Sequence, residues 1–147
     1  MNTSIATLLD GKGRALHAVP VTVTVFEAVE AMNQHRIGAM LVMNGAKLAG
    51  IFTERDVLTR VISASLDPKT TPITQVMSAN VLTIAPEATV QQVMDIFAEK
   101  RCRHLPVIQG DKLVGLISIG DVSRWVANSH RAEAESLRQY IAGGLST

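Results

Sequence analysis

A stretch that the chain writes twice constrains its fold more than any other feature. Gly50-Ile51-Phe52-Thr53-Glu54-Arg55-Asp56-Val57 returns as Gly115-Leu116-Ile117-Ser118-Ile119-Gly120-Asp121-Val122. In both copies an apolar strand leaves a glycine, stops at a hydroxyl residue and reaches an aspartate three positions later. The offset is 65 residues (115 minus 50), and the copies align without a gap over more than forty positions. Identities in that register include Thr24/Thr89, Val25/Val90, Arg36/Arg101, Val42/Val107, Gly45/Gly110, Lys47/Lys112, Leu48/Leu113 and Asp56/Asp121. Chance does not give that set in one register. Two similar units, each with a sheet face to hide, are each other's obvious cover.

Local signals give each copy the order strand, helix, strand, strand, helix. Ser4 to Leu9 reads as a helical turn with Ile5, Leu8 and Leu9 on one side, broken by Asp10-Gly11-Lys12-Gly13. An extended piece from Ala15 to Val21 follows. Thr24 and Glu27 form a capping box, and Val25, Ala28, Val29 and Met32 make one apolar stripe that Gly38 is expected to end. Ala39 to Met43 is an apolar run short enough for a buried strand, and Asn44-Gly45 turns it into a partner strand, Lys47 to Phe52. Thr53, with Asp56 three positions on, can cap a helix from Glu54 to about Ser63.

The second copy retraces these steps. Ile73, Val76 and Met77 play the parts of Ile5, Leu8 and Leu9, three residues out of the main register. A strand is predicted from Val81 to Ile84, a capping box at Thr89 and Gln92, and a hairpin from Leu105 to Ile117 around Gly110. A last helix starts near Ile119 with Val122, Trp125 and Val126 inward. A further segment, Ala132 to Ala142, lines up Leu137, Tyr140 and Ile141, and Gly143-Gly144 is expected to end it. The expected division is residues 1–63, a linker at 64–72 that carries Pro68 and Pro72, residues 73–128, and a helical tail at 129–147.

Composition narrows the function. The 147 residues include 14 basic and 13 acidic side chains, a net charge of +1, so a nucleic-acid partner held by bulk charge is not expected. Aromatics are 3%, which leaves the core to aliphatic residues. One cysteine, Cys102, permits no intramolecular disulfide and fits a reducing cytosol. The N-terminal segment does not read as a secretory signal, and no apolar run approaches the ~18–20 residues that span a bilayer. A cytoplasmic protein with no membrane partner is expected. No Ser-His-Asp arrangement, Gly-rich phosphate loop or Cys/His cluster is visible, so no catalytic residue and no metal ligand is assigned.

With Thr-Val-x-x-(Ala/Val), an apolar strand, a glycine turn and Gly-φ-φ-(Thr/Ser)-x-x-Asp-φ (φ apolar) present twice, the chain resembles the CBS-domain pair, or Bateman module. The second copy, with Arg103-His104-Leu105-Pro106-Val107, matches most closely; the first has Gly38, Ala39 and Leu41 instead and lacks the Arg, His and Pro. The resemblance covers essentially the whole chain. It implies an α/β fold of two β-α-β-β-α motifs in a pseudo-two-fold arrangement, packed through their sheets with ligand clefts between them. It also implies a stand-alone regulatory module that binds an adenine ligand (AMP, ADP, ATP, S-adenosylmethionine or NAD(H)), with no catalytic cofactor. Homodimerisation is expected from the family. The length leaves no separate catalytic domain, so any effect on a target protein is expected in trans.

The chemistry of the repeated motif agrees. An aspartate in the first turn of a helix can accept two hydrogen bonds from a vicinal diol, which a ribose presents. A hydroxyl at the helix start, beside free backbone N–H groups, suits a phosphate oxygen. The same spacing also describes a plain helix cap, and the two roles can coexist. The candidate ligand residues are Thr53, Arg55 and Asp56 with Val19, Gly38, Ala39 and Met40 in the first copy. In the second they are Ser118 and Asp121 with Thr83, Ile84, Arg103, His104, Leu105 and Pro106. By resemblance Arg103 and His104 reach ligand phosphates, as a planar fork and a titratable donor. Lys12 and Arg14 could add charge at the first cleft. Three rivals stand beside this reading: an interaction scaffold whose ligand sites have degenerated, a small enzyme using the aspartate pair or His104, and a nucleic-acid binder.

Overall fold

In the computed structural model the described residues are 2–13 and 16–145, with side chains described to residue 141. Arg14 and Ala15, which carry two of the sequence expectations above, lie outside them. The elements in order are α1 (Ile5–Lys12), β1 (Ala18–Pro20), α2 (Val25–His35), β2 (Ala39–Asn44), β3 (Lys47–Thr53), α3 (Glu54–Asp56), α4 (Ile73–Val76), α5 (Val90–Lys100), β4 (His104–Gln109), β5 (Lys112–Ser118) and α6 (Ile119–Leu145). They form two compact units that do not coincide with the two repeats. A sheet-rich unit comprises Arg14–Ala85 and Leu105–Leu116; a helical unit comprises Met1–Gly13, Pro86–His104 and Ile117–Thr147.

The sheet-rich unit is built on β2. It pairs in parallel with β1 and antiparallel with β3, in the order β1-β2-β3. Successive β2 side chains point to opposite faces, and both faces are covered. Met40 and Val42 join Val19, Phe52 and the α2 residues Val25, Ala28 and Met32 in one cluster. Ala39, Leu41 and Ile51 on the other face pack with Leu113 and Leu116 of the second copy's hairpin and with Val81. A strand covered on both sides has no polar face to show, which is why 39–43 reads as an unbroken apolar run. The register slips between Val42 and Met43: Val42 faces Gly50 whereas Met43 faces Leu48, so Ala49 is the extra residue of a bulge.

The segment before each copy is built into the other copy's elements, in the same way both times. Ile5 N–H donates to Ala88 O (2.8 Å) and Val90 N–H to Thr3 O (2.9 Å); at the matching positions Ile73 N–H donates to Val23 O (3.0 Å) and Val25 N–H to Thr71 O (2.9 Å). Thus α1 belongs with α5 and α6 in the helical unit, burying Ile5, Leu8 and Leu9, whereas α4 packs on α2 and β3. The three-residue displacement of these helices from the main register is the difference in connecting length that lets both bonds form.

Several local expectations are corrected. Asp10-Gly11-Lys12 is the last turn of α1 rather than a loop, and Gly13 ends it with φ 93°. Helices α2 and α5 are ended not by glycine but by Arg36 and Arg101, both left-handed at φ 54°. Gly38 lies beyond the end of α2: its carbonyl accepts from Glu54 N–H at 3.0 Å, and a Cβ there would meet only the end of the exposed Glu54 side chain, at 3.0 Å. Left-handed backbone costs a side-chain-bearing residue about 1–2 kcal/mol, part of which glycine returns through unfolded-state entropy. Arg36→Gly is therefore expected to raise stability by about 0.5–1 kcal/mol in urea unfolding.

The predicted strand Val81 to Ile84 shrinks to one parallel bridge, Ile84 to Val107, the counterpart of Val19 paired with Val42. In the first copy Leu41 N–H donates to His17 O at 3.3 Å. Pro106 stands in Leu41's place and has no N–H to give. After α3 the chain widens into π-helical turns over Val57–Ile62, with Ser63 N–H reaching Leu58 O. Finally, Gly143-Gly144 interrupts nothing: α6 is a single helix of 27 residues from Ile119 to Leu145, and the separate tail segment is part of it. No helix among the described residues is long and apolar enough to cross a membrane.

Candidate functional site

The repeated hydroxyl–acid spacing closes a reciprocal capping box in both copies. In the first, Asp56 N–H donates to Thr53 Oγ1 (3.3 Å) and Thr53 N–H donates to Asp56 Oδ2 (2.9 Å). In the second, Asp121 N–H donates to Ser118 Oγ (3.1 Å) and Ser118 N–H to Asp121 Oδ2 (2.8 Å). The strand delivers the hydroxyl residue in extended backbone, the helix begins after it, and the acid three residues on folds back to the strand end. The plain capping role is real, and it orients the carboxylate. One oxygen of each aspartate accepts from the backbone; the other faces an arginine of the following turn.

The surroundings of the two acids differ. Asp56 is buried, with Arg60 Nε 3.6 Å from Oδ1, and Arg60 also donates to the carbonyls of Val76 and Met77. Asp121 is gripped from two sides: Lys12 Nζ lies 2.6 Å from Oδ2 and Arg124 Nη2 2.6 Å from Oδ1. Burial pushes the Asp121 carboxyl up, but the Lys12 ammonium and the Ser118 amide outweigh it and hold the group below the ordinary carboxylate range. It is therefore ionised throughout the neutral range. Sequence reasoning missed Arg60, Arg124 and the true place of Lys12. The i,i+4 and i,i+3 spacing of Asp56/Arg60 and Asp121/Arg124 was the available signal. Lys12 carried none, because its partner is 109 residues away.

The seven first-copy candidates all fall in the sheet-rich unit. Val19 and Met40 line its core, Ala39 is on the opposite face of β2, Gly38 and Thr53 are half-buried, and Arg55 is exposed. The second-copy candidates are divided. Thr83, Ile84, Leu105 and Pro106 belong to the sheet-rich unit, where Ile84 N–H donates to Pro106 O (3.0 Å), Ile84 and Pro106 are buried and Thr83 is exposed. Arg103, His104, Ser118 and Asp121 belong to the helical unit, where Arg103 O accepts from Ile119 N–H (2.9 Å) and so places Arg103 at the start of α6.

No group of three or more metal-ligating side chains occurs among the described residues. Burial pushes the Cys102 thiol up against an opposing backbone hydrogen bond, which suits an inert thiol. His17 and His35 stack on each other with ring centroids 4.1 Å apart.

Comparison with known proteins gives this architecture its relatives. The CBS domain family model matches residues 13–63 and again 73–128. The mitochondrial CBS domain-containing protein CBSX3 of Arabidopsis thaliana is 36% identical over 97% of the chain and 74% of its own length. The CBS-domain containing protein ATU1752 from Agrobacterium tumefaciens superposes with a TM-score of 0.79 at 36% identity, over 83% of this chain and 98% of that one. A more distant fold relative is the CBS domain protein PAE2072 from Pyrobaculum aerophilum, solved in complex with AMP. Its TM-score is 0.73 at 24% identity, over 81% and 89% of the two chains.

Proposed function

The chain belongs to the CBS-domain family, and from that premise we propose that it is a non-enzymatic regulatory module that binds an adenine nucleotide and passes the binding state to a partner protein. CBS-domain pairs are generally regulatory rather than catalytic and often bind adenine nucleotides. The observation that carries the reading here is the hydroxyl–acid box built twice at a helix start, with its carboxylate oriented by the strand end. Such a carboxylate accepts the two hydroxyls of a ribose, and the adjoining N-terminal backbone suits a phosphate. In the second copy Arg103 and His104, in the same unit as Ser118 and Asp121, supply positive charge to the phosphate. Thr53, Arg55 and Asp56 do the polar work in the first copy, with Gly38 and Ala39 beside them and Val19 and Met40 as apolar backing.

The proposed ligand is one of AMP, ADP, ATP, S-adenosylmethionine or NAD(H). AMP comes first for testing because a fold relative was solved with it. The ligand shifts the module only by its differential affinity for two conformations, which a homodimer would report in trans to its target in the cytoplasm. Calorimetric titration with AMP, ATP, S-adenosylmethionine and NADH decides the matter: at least one binds, and silence from all four overturns the nucleotide reading. Asp121→Ala is expected to weaken binding about a hundredfold or more, the worth of two hydrogen bonds to a charged acceptor. Unchanged affinity would place the ligand elsewhere. A scaffold that has given up its ligand is the second reading, favoured by one observation: two cations already occupy the Asp121 carboxylate.

A further inference from the structure

The two aspartates are chemically alike in sequence and unlike in company. Asp56 spends Oδ2 on the Thr53 amide and has its nearest cation at 3.6 Å. Asp121 spends Oδ2 on both the Ser118 amide and Lys12, and Oδ1 on Arg124, each cation at 2.6 Å. A vicinal diol brings two O–H donors and needs both carboxylate oxygens, so at Asp121 it must displace what is there. Arg124 is largely exposed and rides on α6 itself, so it can swing into solvent. Lys12 is different. It stands in the last turn of α1, whose Ile5, Leu8 and Leu9 are buried and whose end is fixed by Gly13 N–H donating to Leu9 O at 2.8 Å.

Nor does the family pattern carry it. Lys12 lies one residue before the first matched segment, and its counterpart in the other copy, by the register that pairs Ile5 with Ile73, is the uncharged Asn80. We propose that Lys12 is a built-in competitor for the diol-binding carboxylate of the second copy, so that α1 and a ribose exclude each other at Asp121. By reciprocity, a ligand that takes Asp121 releases the end of α1 by the same factor that Lys12 takes from its affinity. The two sites then differ in readiness: Asp56 accepts a diol without displacing a lysine, with Arg60 the longer contact at 3.6 Å, and Asp121 only against Lys12. This rests on reading Asp121 as a ribose acceptor.

Adenosine is the decisive probe, because a neutral nucleoside gains nothing from a lysine near its phosphate. Titrations are made in an Asp56→Asn background, so that only the second copy reports. Lys12→Met is expected to tighten adenosine about five- to tenfold, the worth of one hydrogen-bonded ion pair at a half-exposed position. The gain should vanish when Asp121→Asn is added. Unchanged or weaker binding in Lys12→Met, with Asp121→Asn still lowering affinity, overturns the competition and leaves the ribose reading standing. Affinity indifferent to Asp121→Asn, or no adenosine binding to either protein, overturns both.

Discussion

Gly50→Ala is expected to destabilise the protein by about 3 kcal/mol, and Gly50→Val by more, as a fall in the urea midpoint without loss of cooperativity. A Cβ at this position would lie 2.7 Å from Met77 Sδ and 2.7 Å from Ser78 O. The methionine could swing aside, but the carbonyl could not. Ile51 N–H donates to Ser78 O at 3.0 Å and Ser78 N–H donates back to Ile51 O at 2.9 Å. Making room means breaking that pair and lifting away the segment that follows α4, whose Ile73 and Val76 are buried. A wild-type midpoint for Gly50→Ala would show that the Met77–Ser78 segment shifts freely, contrary to its hydrogen bonds.

The other large effect is at Phe52, which is fully buried at the centre of the α2-facing cluster. Phe52→Ala should cost about 3–5 kcal/mol through lost burial and the cavity it leaves. Phe52→Ile should cost about 1–1.5 kcal/mol, because a branched aliphatic of similar shape refills most of the space. The repeat itself performs that experiment: the matching position is Ile117, also fully buried. Chemical denaturation of both variants checks the contrast, and equal costs would mean that volume at this point is not what the core requires.

These two positions show what the sequence could and could not say. The glycine and the apolar residue after it were visible as repeated features, and their strand placement followed from the pattern. The capping boxes at Thr24, Thr53 and Thr89 were equally plain, because a hydroxyl and its partner three residues later are a local matter. Local reasoning failed where the answer lay at a distance. Gly38 looked like a helix terminator, but Arg36 takes the left-handed turn and the Gly38 carbonyl instead accepts from Glu54 N–H. The strand expected before Pro86 shrank to one bridge because Pro106, in Leu41's place, and Pro86, in Val21's place, each withhold an N–H that the first copy donates. The candidate site divided the same way: the acids and hydroxyls were legible in the chain, Arg60 and Arg124 left a helical-spacing signal that was passed over, and Lys12, 109 residues from its acid, left none. Lys12, expected to add charge at the first cleft, instead pairs with the acid of the second copy, where Arg124 joins it.

The continuity of α6 has a mechanical meaning. With ~1.5 Å of rise per residue, its 27 residues make a rod of ~40 Å. Asp121 sits in the first turn, and Leu137, Tyr140 and Ile141 stand exposed toward the far end. Leu137 to Ile141 lie ~27–33 Å along it, so a tilt of only ~5° at the root would carry them through ~2.5–3 Å, close to the width of a side-chain contact. Under the competition proposed for Asp121, a tilt of that size on exchange of its partners would be enough to make or break a docking surface. The same helix that holds the acid is the pointer that would display its state.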